Sequence, residues 1–220
     1  MSLDIGDFER PPKDLIAALR ELSTPTVLEC LKGGRFNVSS EIKPVWTGAK
    51  LVGAALTVRC RVGDNLTLHK AIELAKPGDV IVVDAGGYRE AGGMWGEIMA
   101  LAARKQGVEG VVIDGAVRDT PVLREMKFPA FACTSSPGST TKRSFGAINR
   151  PITCGGVLVN PGDIIIADDD GVVVIPRAQA ESVAQLGRAR DEREVKIKQL
   201  IEEGKTTVEI FGFDKILEKL

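Results

Sequence analysis

The sequence predicts an α/β sandwich with a mixed sheet, and three observations carry that reading. Residues 80–113 run through a short β-branched stretch (80–83), a Gly-rich loop, an apolar helical face (Ile98, Met99, Leu101, Ala102) and a second apolar run (111–113). That is the pattern of a βαβ unit. Two further apolar runs, 164–167 and 172–175, flank the acidic turn Asp168-Asp169-Asp170-Gly171 and read as a hairpin. A long charged helix is then expected from just after Pro176 to about Gly204. The chain has 220 residues, enough for one well-buried core, and neither a repeat nor a low-complexity linker divides it. We read 1–220 as a single domain, with a loose N-terminal arm at 1–12 and a C-terminal helical extension at 177–220.

The remaining elements follow in order. Leu15, Ile16, Ala18, Leu19 and Leu22 have helical spacing, and a second short helix is expected at 26–31, after Pro25. The polar, Gly-rich stretch 33–43 reads as a loop. Residues 51–62 read as a strand, with Val52, Ala54, Leu56, Val58 and Cys60 at alternating positions. Asn65 is placed to cap a helix whose Leu68, Ala71, Ile72 and Ala75 face inward. Gly86, Gly87, Gly92, Gly93 and Gly96 allow turns after Asp84, and Gly107 is placed to end the helix that follows. Thr120-Pro121 reads as an N-cap with proline at the first helical position. Residues 130–134 and 152–158 are candidate strands around a polar Ser/Thr/Gly-rich segment, 135–144.

Composition excludes several classes of function. Hydrophobic residues make up 44% and charged residues 27%, and the formal net charge is −1. No general pull toward nucleic acid or an anionic membrane follows from that balance. The basic residues of 188–198 are interleaved with Asp191, Glu192 and Glu194, the look of a solvated helix face. Cys30, Cys60, Cys133 and Cys154 are scattered, with no CxxC pair, and read as buried thiols of a reducing compartment. The first residues lack a basic region and an apolar stretch of signal-peptide type, and no apolar run is long enough to span a membrane. A cytoplasmic location is therefore expected.

His69 is the one histidine, and the helical pattern puts it on the face away from the apolar positions. Nucleophile systems built on histidine are therefore not expected. Chemistry must come from carboxylates, a metal, arginine or backbone amides. Arg118-Asp119 stands beyond a strand's carboxyl end beside a helix start, where open α/β sheets bind anions. Arg118 offers a planar fork that matches a carboxylate, or else a surface ion pair with Glu125. Asp119 is either a metal-anchoring carboxylate or a helix cap. Glu97 is either an acid that orients waters around such a metal or a first-turn glutamate favoured by the helix dipole. Gly93 and Gly96 can turn the amides of Ile98 and Met99 toward the same space, or simply make a tight turn. The acidic turn 168–170 lacks the other ligands of a calcium loop. The glycines lack dinucleotide spacing, and no GK[ST] of a P-loop occurs.

Twenty residues separate Glu97 from Arg118. An acid, twenty residues and Arg-Asp resembles the RraA-like family, which includes the 4-hydroxy-4-methyl-2-oxoglutarate aldolases. Residues 48–58 (GAKLVGAALTV), Asp64-Asn65-Leu66 with Leu68-His69, and Pro77-Gly78-Asp79-Val80 resemble the first half of that family. Residues 159–163 (VNPGD) and 168–176 (DDDGVVVIP) resemble its second half, so the likeness covers roughly 24–211.

The resemblance implies a swivelling β/β/α-type sandwich, with a mixed central sheet, helices outside and a long C-terminal helix, assembled as a homotrimer or hexamer. It also implies a class II lyase acting on a small, pyruvate-type 2-oxo acid with Mg²⁺ or Mn²⁺; neither nucleic acid nor membrane is expected as partner, on the charge balance above. In that reading Asp119 is the metal ligand. Arg118, Gly93, Gly96, Ile98 and Met99 bind the substrate carboxylate, and Arg118, Glu97 and Glu194 are catalytic. Glu194 is the match for an acid that the family draws from a neighbouring subunit's C-terminal helix, with Glu192 next. Aldol cleavage, or decarboxylation of oxaloacetate, would pass through one pyruvate enolate. Two positions depart from the aldolase pattern: the acid is commonly Asp where this chain has Glu97, and an acidic residue is common where it has Val122. The family also holds protein regulators of RNA-degrading machinery, so a non-catalytic trimeric binding protein is the other reading.

Overall fold

A computed structural model describes residues 3–87, 89–90 and 92–219. Met1 and Ser2 of the expected arm, Tyr88 and Ala91 of the Gly-rich loop, and Leu220 of the C-terminal extension lie outside the described residues. In chain order the elements are β1 (Asp4–Ile5), α1 (Lys13–Arg20), α2 (Thr24–Cys30), β2 (Lys43–Pro44), β3 (Leu51–Arg59) and α3 (Leu66–Leu74). Then come β4 (Asp79–Asp84), α4 (Glu97–Lys105), β5 (Gly110–Val117), α5 (Thr120–Glu125) and β6 (Ala130–Ser135). After β7 (Ala147–Ile148), two hairpins follow: β8 (Ile152–Cys154) with β9 (Val157–Val159), and β10 (Ile164–Asp168) with β11 (Gly171–Ile175). A 3-10 turn at Arg177–Gln179 leads into α6 (Ala180–Glu202), and α7 (Thr207–Phe211) and α8 (Asp214–Leu217) end the chain.

The mixed central sheet is built on β3-β4-β5-β6, four parallel neighbours joined through α3, α4 and α5. Antiparallel strands finish its edges: β2 on β6, and β7 and β10 on β3. The sequence reads 51–62 as a strand with apolar residues at alternating positions. In the structure β3 is buried on both faces as far as Val58, and it stops at Arg59. The cause is layering. One face of the sheet (Leu56, Val58, Ile81, Val83, Val111, Ile113) packs on α3, α4 and α5 through Leu68, Ala71, Met99, Ala103 and Leu123. The other face (Leu51, Ala55, Val80, Val82, Val112, Phe131) packs on the second β layer, through Ile152, Cys154, Val157 and Val159 of the β8–β9 hairpin and Ile165 and Val174 of β10–β11. Strands covered on both sides become near-continuous apolar runs. The outer face of β10–β11 (Ile164, Ile166, Val173, Ile175) is closed by Leu19, Leu22, Val27 and Val183 of the α1, α2 and α6 region.

Several expectations are corrected. Residues 152–158 form no continuous strand, because Gly155 (φ 51°) and Gly156 (φ 79°) turn the chain into a hairpin. Asn65 precedes α3 but its side chain caps nothing; Asp64 Oδ1 accepts the Leu66 N–H instead, at 3.1 Å. The cap of α5 is Asp119 rather than Thr120. The long helix after Pro176 is present, yet only its first two turns are buried, with Ala180, Val183 and Gly187 facing inward. Beyond it, α7 and α8 bury no residue, and Phe211, Phe213, Ile216 and Leu217 are exposed. Among the described residues no helix is long and apolar enough to cross a membrane.

The arm is not loose. β1 pairs in parallel with β7, and three arginine–carboxylate pairs fasten the segment to the body: Asp4–Arg150 at 2.8 Å, Glu9–Arg177 at 2.7 Å and Arg10–Asp79 at 2.7 Å. The last pair matters most, because Asp79 is fully buried and both its oxygens take the Arg10 fork. Removing the guanidinium would leave a buried carboxylate with little but the Lys76 N–H for compensation. Arg10→Ala should therefore cost about 2–3 kcal/mol, a discount on a fully buried pair because Arg10 is a quarter exposed. Urea denaturation checks it, and a loss under about 0.5 kcal/mol, the scale of an exposed pair, would show the arm to be dispensable.

Candidate functional site

The site forms where β5 ends against the start of α4. The Met94 N–H donates to the Ala116 carbonyl and the Arg118 N–H to the Trp95 carbonyl, so residues 94–96 run beside the last residues of β5. Consecutive strand residues point to opposite faces. Arg118 and Asp119 escape that rule because Asp119 is left-handed (φ 56°, ψ 35°), a conformation aspartate tolerates better than most residues. The turn carries its carboxylate back over α4, where Oδ2 accepts the Glu97 N–H at 3.0 Å and stands 3.5 Å from Arg118 Nε. Both side chains remain well exposed. Asp119 Oδ1 accepts no hydrogen bond among the described residues.

The glycines serve proximity more than turning. A β-carbon on Gly96 would lie 2.4 Å from Asp119 Oδ2 and 3.0 Å from Arg118 Cγ; one on Gly93 would lie 2.6 Å from Arg118 Cβ. Neither has a positive φ, whereas Gly92 (φ 90°) does. Gly96 ends the extended approach and α4 begins at Glu97. The first N–H groups of a helix have no intrahelical partner. That of Glu97 goes to Asp119, while those of Ile98 and Met99 find no acceptor among the described residues. Two free amides, a guanidinium fork and a free carboxylate oxygen thus open on one cleft of about 380 Å³.

Gly93, Gly96, Glu97, Ile98, Met99, Arg118 and Asp119, all expected at the site, line this cleft. The Ile98 side chain is exposed and the Met99 side chain buried, and both residues stand in the first turn of α4, where the helix lines the cleft. Glu194 is not brought there within its own chain; it lies on α6, 3.1 Å from Arg190, which also pairs with Glu29 at 2.6 Å. Arg118 pairs with Asp119 rather than with Glu125. Val122 lies on α5 and brings no oxygen to the cleft.

The far wall was not expected. Asn65, His69, Ser139, Thr140 and Lys142 line it. Placing His69 away from the apolar face was correct, since it is exposed, yet that face looks onto the cleft. Burial, and then the charge of Lys142, lower its pKa, so it is neutral at neutral pH. Thiol chemistry has no support. Burial pushes Cys60 up to about 12, and burial with the Asp114 carboxylate pushes Cys133 up to about 11.

Among the described residues no three His, Cys, Asp or Glu side chains gather to hold a metal. An all-protein cage is therefore not on offer. One free carboxylate oxygen on Asp119, with the exposed Glu97 beside it, suits a hard cation that keeps most of its waters.

Comparison with known proteins gives a consistent result. A family model described as "RraA-like: Aldolase/RraA" matches residues 24–174. A protein of Halalkalibacterium halodurans named "Putative 4-hydroxy-4-methyl-2-oxoglutarate aldolase" is 40% identical over 177 residues, covering 80% of this chain and 83% of its own length. The crystal structure of RraAS2 from Streptomyces coelicolor, described as an unusual member of the RNase ES inhibitor RraA protein family, superposes with a TM-score of 0.79 at 31% identity. That match covers 87% of this chain and 99% of the other. An uncharacterized protein from Pseudomonas syringae superposes with a TM-score of 0.82 at 27% identity, covering 91% and 94% of the two chains.

The close approach at Gly96 gives a test of the geometry. Gly96→Ala must push Asp119 off the helix start, at an overpacking cost of about 1–3 kcal/mol. Its Glu97 amide should exchange with solvent faster than in the parent chain. Unchanged protection of that amide would contradict the arrangement.

Proposed function

The chain belongs to the RraA-like family, and from that premise we propose that it is a divalent-metal-dependent lyase cleaving a carbon–carbon bond in small 2-oxo acids. The observation that carries this is the convergence of the Arg118 fork, the free amides of Ile98 and Met99 and the free Asp119 oxygen on one cleft. Substrates of the 4-hydroxy-4-methyl-2-oxoglutarate type, or oxaloacetate, fit the reading. The aldolase name carried by the relative from Halalkalibacterium halodurans supports it.

The residues divide the work. Arg118 and the two amides take the carboxylate next to the keto group, which fixes the substrate along the start of α4. Asp119 Oδ1 would hold Mg²⁺ or Mn²⁺, which when bound supplies Lewis-acid polarisation of the keto oxygen. As the carbon–carbon bond breaks, its electron pair passes to the pyruvyl fragment as an enolate. Arg118 offsets the negative charge growing on the enolate oxygen. In aldol cleavage the hydroxyl proton leaves to a water that Glu97 orients; in oxaloacetate decarboxylation the departing fragment is CO₂ and no hydroxyl proton is removed.

Glu194 enters this scheme from a second copy of the chain. The outer half of α6, with α7 and α8, presents Val195, Ile201, Phe211, Phe213, Ile216 and Leu217 to solvent in the single chain. Exposed apolar residues in that number mark an association surface. We take the assembly to be a homotrimer or hexamer in which this extension reaches a neighbour. A monomer by light scattering at micromolar concentration would contradict it.

A second reading, a non-catalytic regulator, rests on the inhibitor description of the Streptomyces relative and on the missing acid at Val122. Activity measurements separate the two. The lyase should release pyruvate from oxaloacetate, with Mg²⁺ present, well above the rate of a protein-free control containing the same Mg²⁺, whereas the regulator should add nothing to that control. Arg118→Lys keeps the charge but loses the two parallel donors, so kcat/KM should fall roughly 10²–10³-fold. Asp119→Asn keeps the left-handed backbone but removes the anionic oxygen, and should abolish the response to Mg²⁺ with the melting temperature little changed. Arg118→Lys within about threefold of the parent, far short of the loss expected for this contact, would make the arginine structural and remove the main support of the lyase reading.

A further inference from the structure

Asp64 is buried, and it is turned entirely toward backbone and hydroxyl donors. Its Oδ1 accepts the Leu66 N–H. Its Oδ2 accepts from Thr141 Oγ1 at 2.8 Å, the Arg143 N–H at 2.6 Å and the Ser144 N–H at 3.1 Å. Burial raises its pKa, but these four donors outweigh burial and hold it near 2, so it is ionised at any working pH. Three of the four donors belong to residues 136–146. That segment contains no helix and no strand, and none of its residues is buried. It therefore has no apolar anchor of its own. Polar contacts hold it: Thr141 N–H to the Gly63 carbonyl, Asn65 N–H to the Thr141 carbonyl, Gly146 N–H to Thr67 Oγ1, and at the other end Gly93 N–H to the Gly138 carbonyl.

The same segment supplies Ser139, Thr140 and Lys142 to the far wall of the cleft. We propose that Asp64 is a positioning residue of the site: it clasps residues 136–146 to the start of α3, and so sets Lys142, Ser139 and Thr140 opposite Glu97 and beside Asn65 and His69. Asp64 touches no substrate in this account. Its effect passes through the loop, and it bears on catalysis only if the cleft is the 2-oxo acid site. Charge-assisted hydrogen bonds from a buried carboxylate are the strong kind, and an amide in its place would turn an NH₂ group toward the donors. Nothing apolar would then keep the loop in place.

His69 makes the test direct, because it is the chain's one histidine and Lys142 is one cause of its lowered pKa. Proton NMR titration of His69 and amide exchange at Arg143 and Ser144 are measured in the parent, Asp64→Asn, Thr141→Val and Lys142→Ala proteins, with oxaloacetate decarboxylation alongside. In Asp64→Asn the His69 pKa should move up toward its ordinary value, as it should in Lys142→Ala, and exchange at the two amides should quicken. Amides of β4 and β5 should stay protected. Thr141→Val removes one of the four bonds, so it should shift the same signals less while leaving the carboxylate in place. In an active enzyme Asp64→Asn should raise KM more than it lowers kcat and cost about tenfold or more in kcat/KM, with little further loss once Lys142 is alanine. Unchanged exchange and an unchanged His69 titration in Asp64→Asn overturn the clasp. A loosened loop with unchanged kinetic constants, or losses that add fully to those of Lys142→Ala, overturn its positioning role. If the parent chain releases no pyruvate beyond a protein-free control with the same Mg²⁺, the lyase reading falls, and the clasp stands or falls on the titration and exchange alone.

Discussion

The hydrogen bond from the Glu97 N–H to Asp119 Oδ2 is the contact on which the site depends. It joins two ends that the chain separates by a helix and a strand: the start of α4 and the finish of β5. It forms only because Asp119 takes a left-handed turn and because Gly96 leaves room for the carboxylate. With that clip closed, Arg118 and Asp119 share one side of the chain, and the amides of Ile98 and Met99 are the free helix-start donors nearest to them. A carboxylate at a helix start is favoured by the dipole, so the clip also stabilises α4. Asp119 thereby commits one oxygen to structure, and the other is the oxygen we propose as the cation's ligand.

The layering supplies the rigidity that such a site needs. β4 and β5 are buried on both faces, and α4 is held to them through Met99, Ala100 and Ala103. The near wall of the cleft is thus made from the ends of well-packed elements, as sites beyond the carboxyl ends of parallel strands are. The far wall differs in kind. It is a polar loop whose position depends on hydrogen bonds, above all those to Asp64. One side of the cleft is fixed by packing and the other by hydrogen bonds to a buried carboxylate.

The parts legible in the sequence are those with local periodicity or fixed spacing. The β-branched run at 80–83 and the apolar run at 111–113 identified β4 and β5, and the twenty-residue interval before Arg118-Asp119 pointed to the near wall. Pro176 and the charged periodicity after it marked α6. The parts that escaped depend on contacts between residues far apart in sequence. The arm read as loose because Arg10 and Asp79 are 69 residues apart, and nothing local in either announces the pair. Ser139, Thr140 and Lys142 sit in a polar stretch without periodicity, and their place follows from an aspartate more than seventy residues earlier. His69 was correctly placed on the polar face of α3, but no periodicity tells that this face looks onto a cleft. The glycines were read as turn makers, whereas Gly93 and Gly96 are required by the side chains crowding over them.

Arg118, the free helix-start amides and Asp119 are proposed to form one receptor for the oxo-acid end of a substrate. A crystal structure of the protein with Mg²⁺ and oxalate, which mimics the pyruvate enolate, tests it most directly. The account predicts one oxalate carboxylate on the Arg118 fork and the Ile98 and Met99 amides, with Mg²⁺ on Asp119 Oδ1 and the Glu97–Asp119 hydrogen bond intact. Oxalate and Mg²⁺ bound elsewhere, with Arg118 still turned to Asp119 and both amides empty, would contradict it.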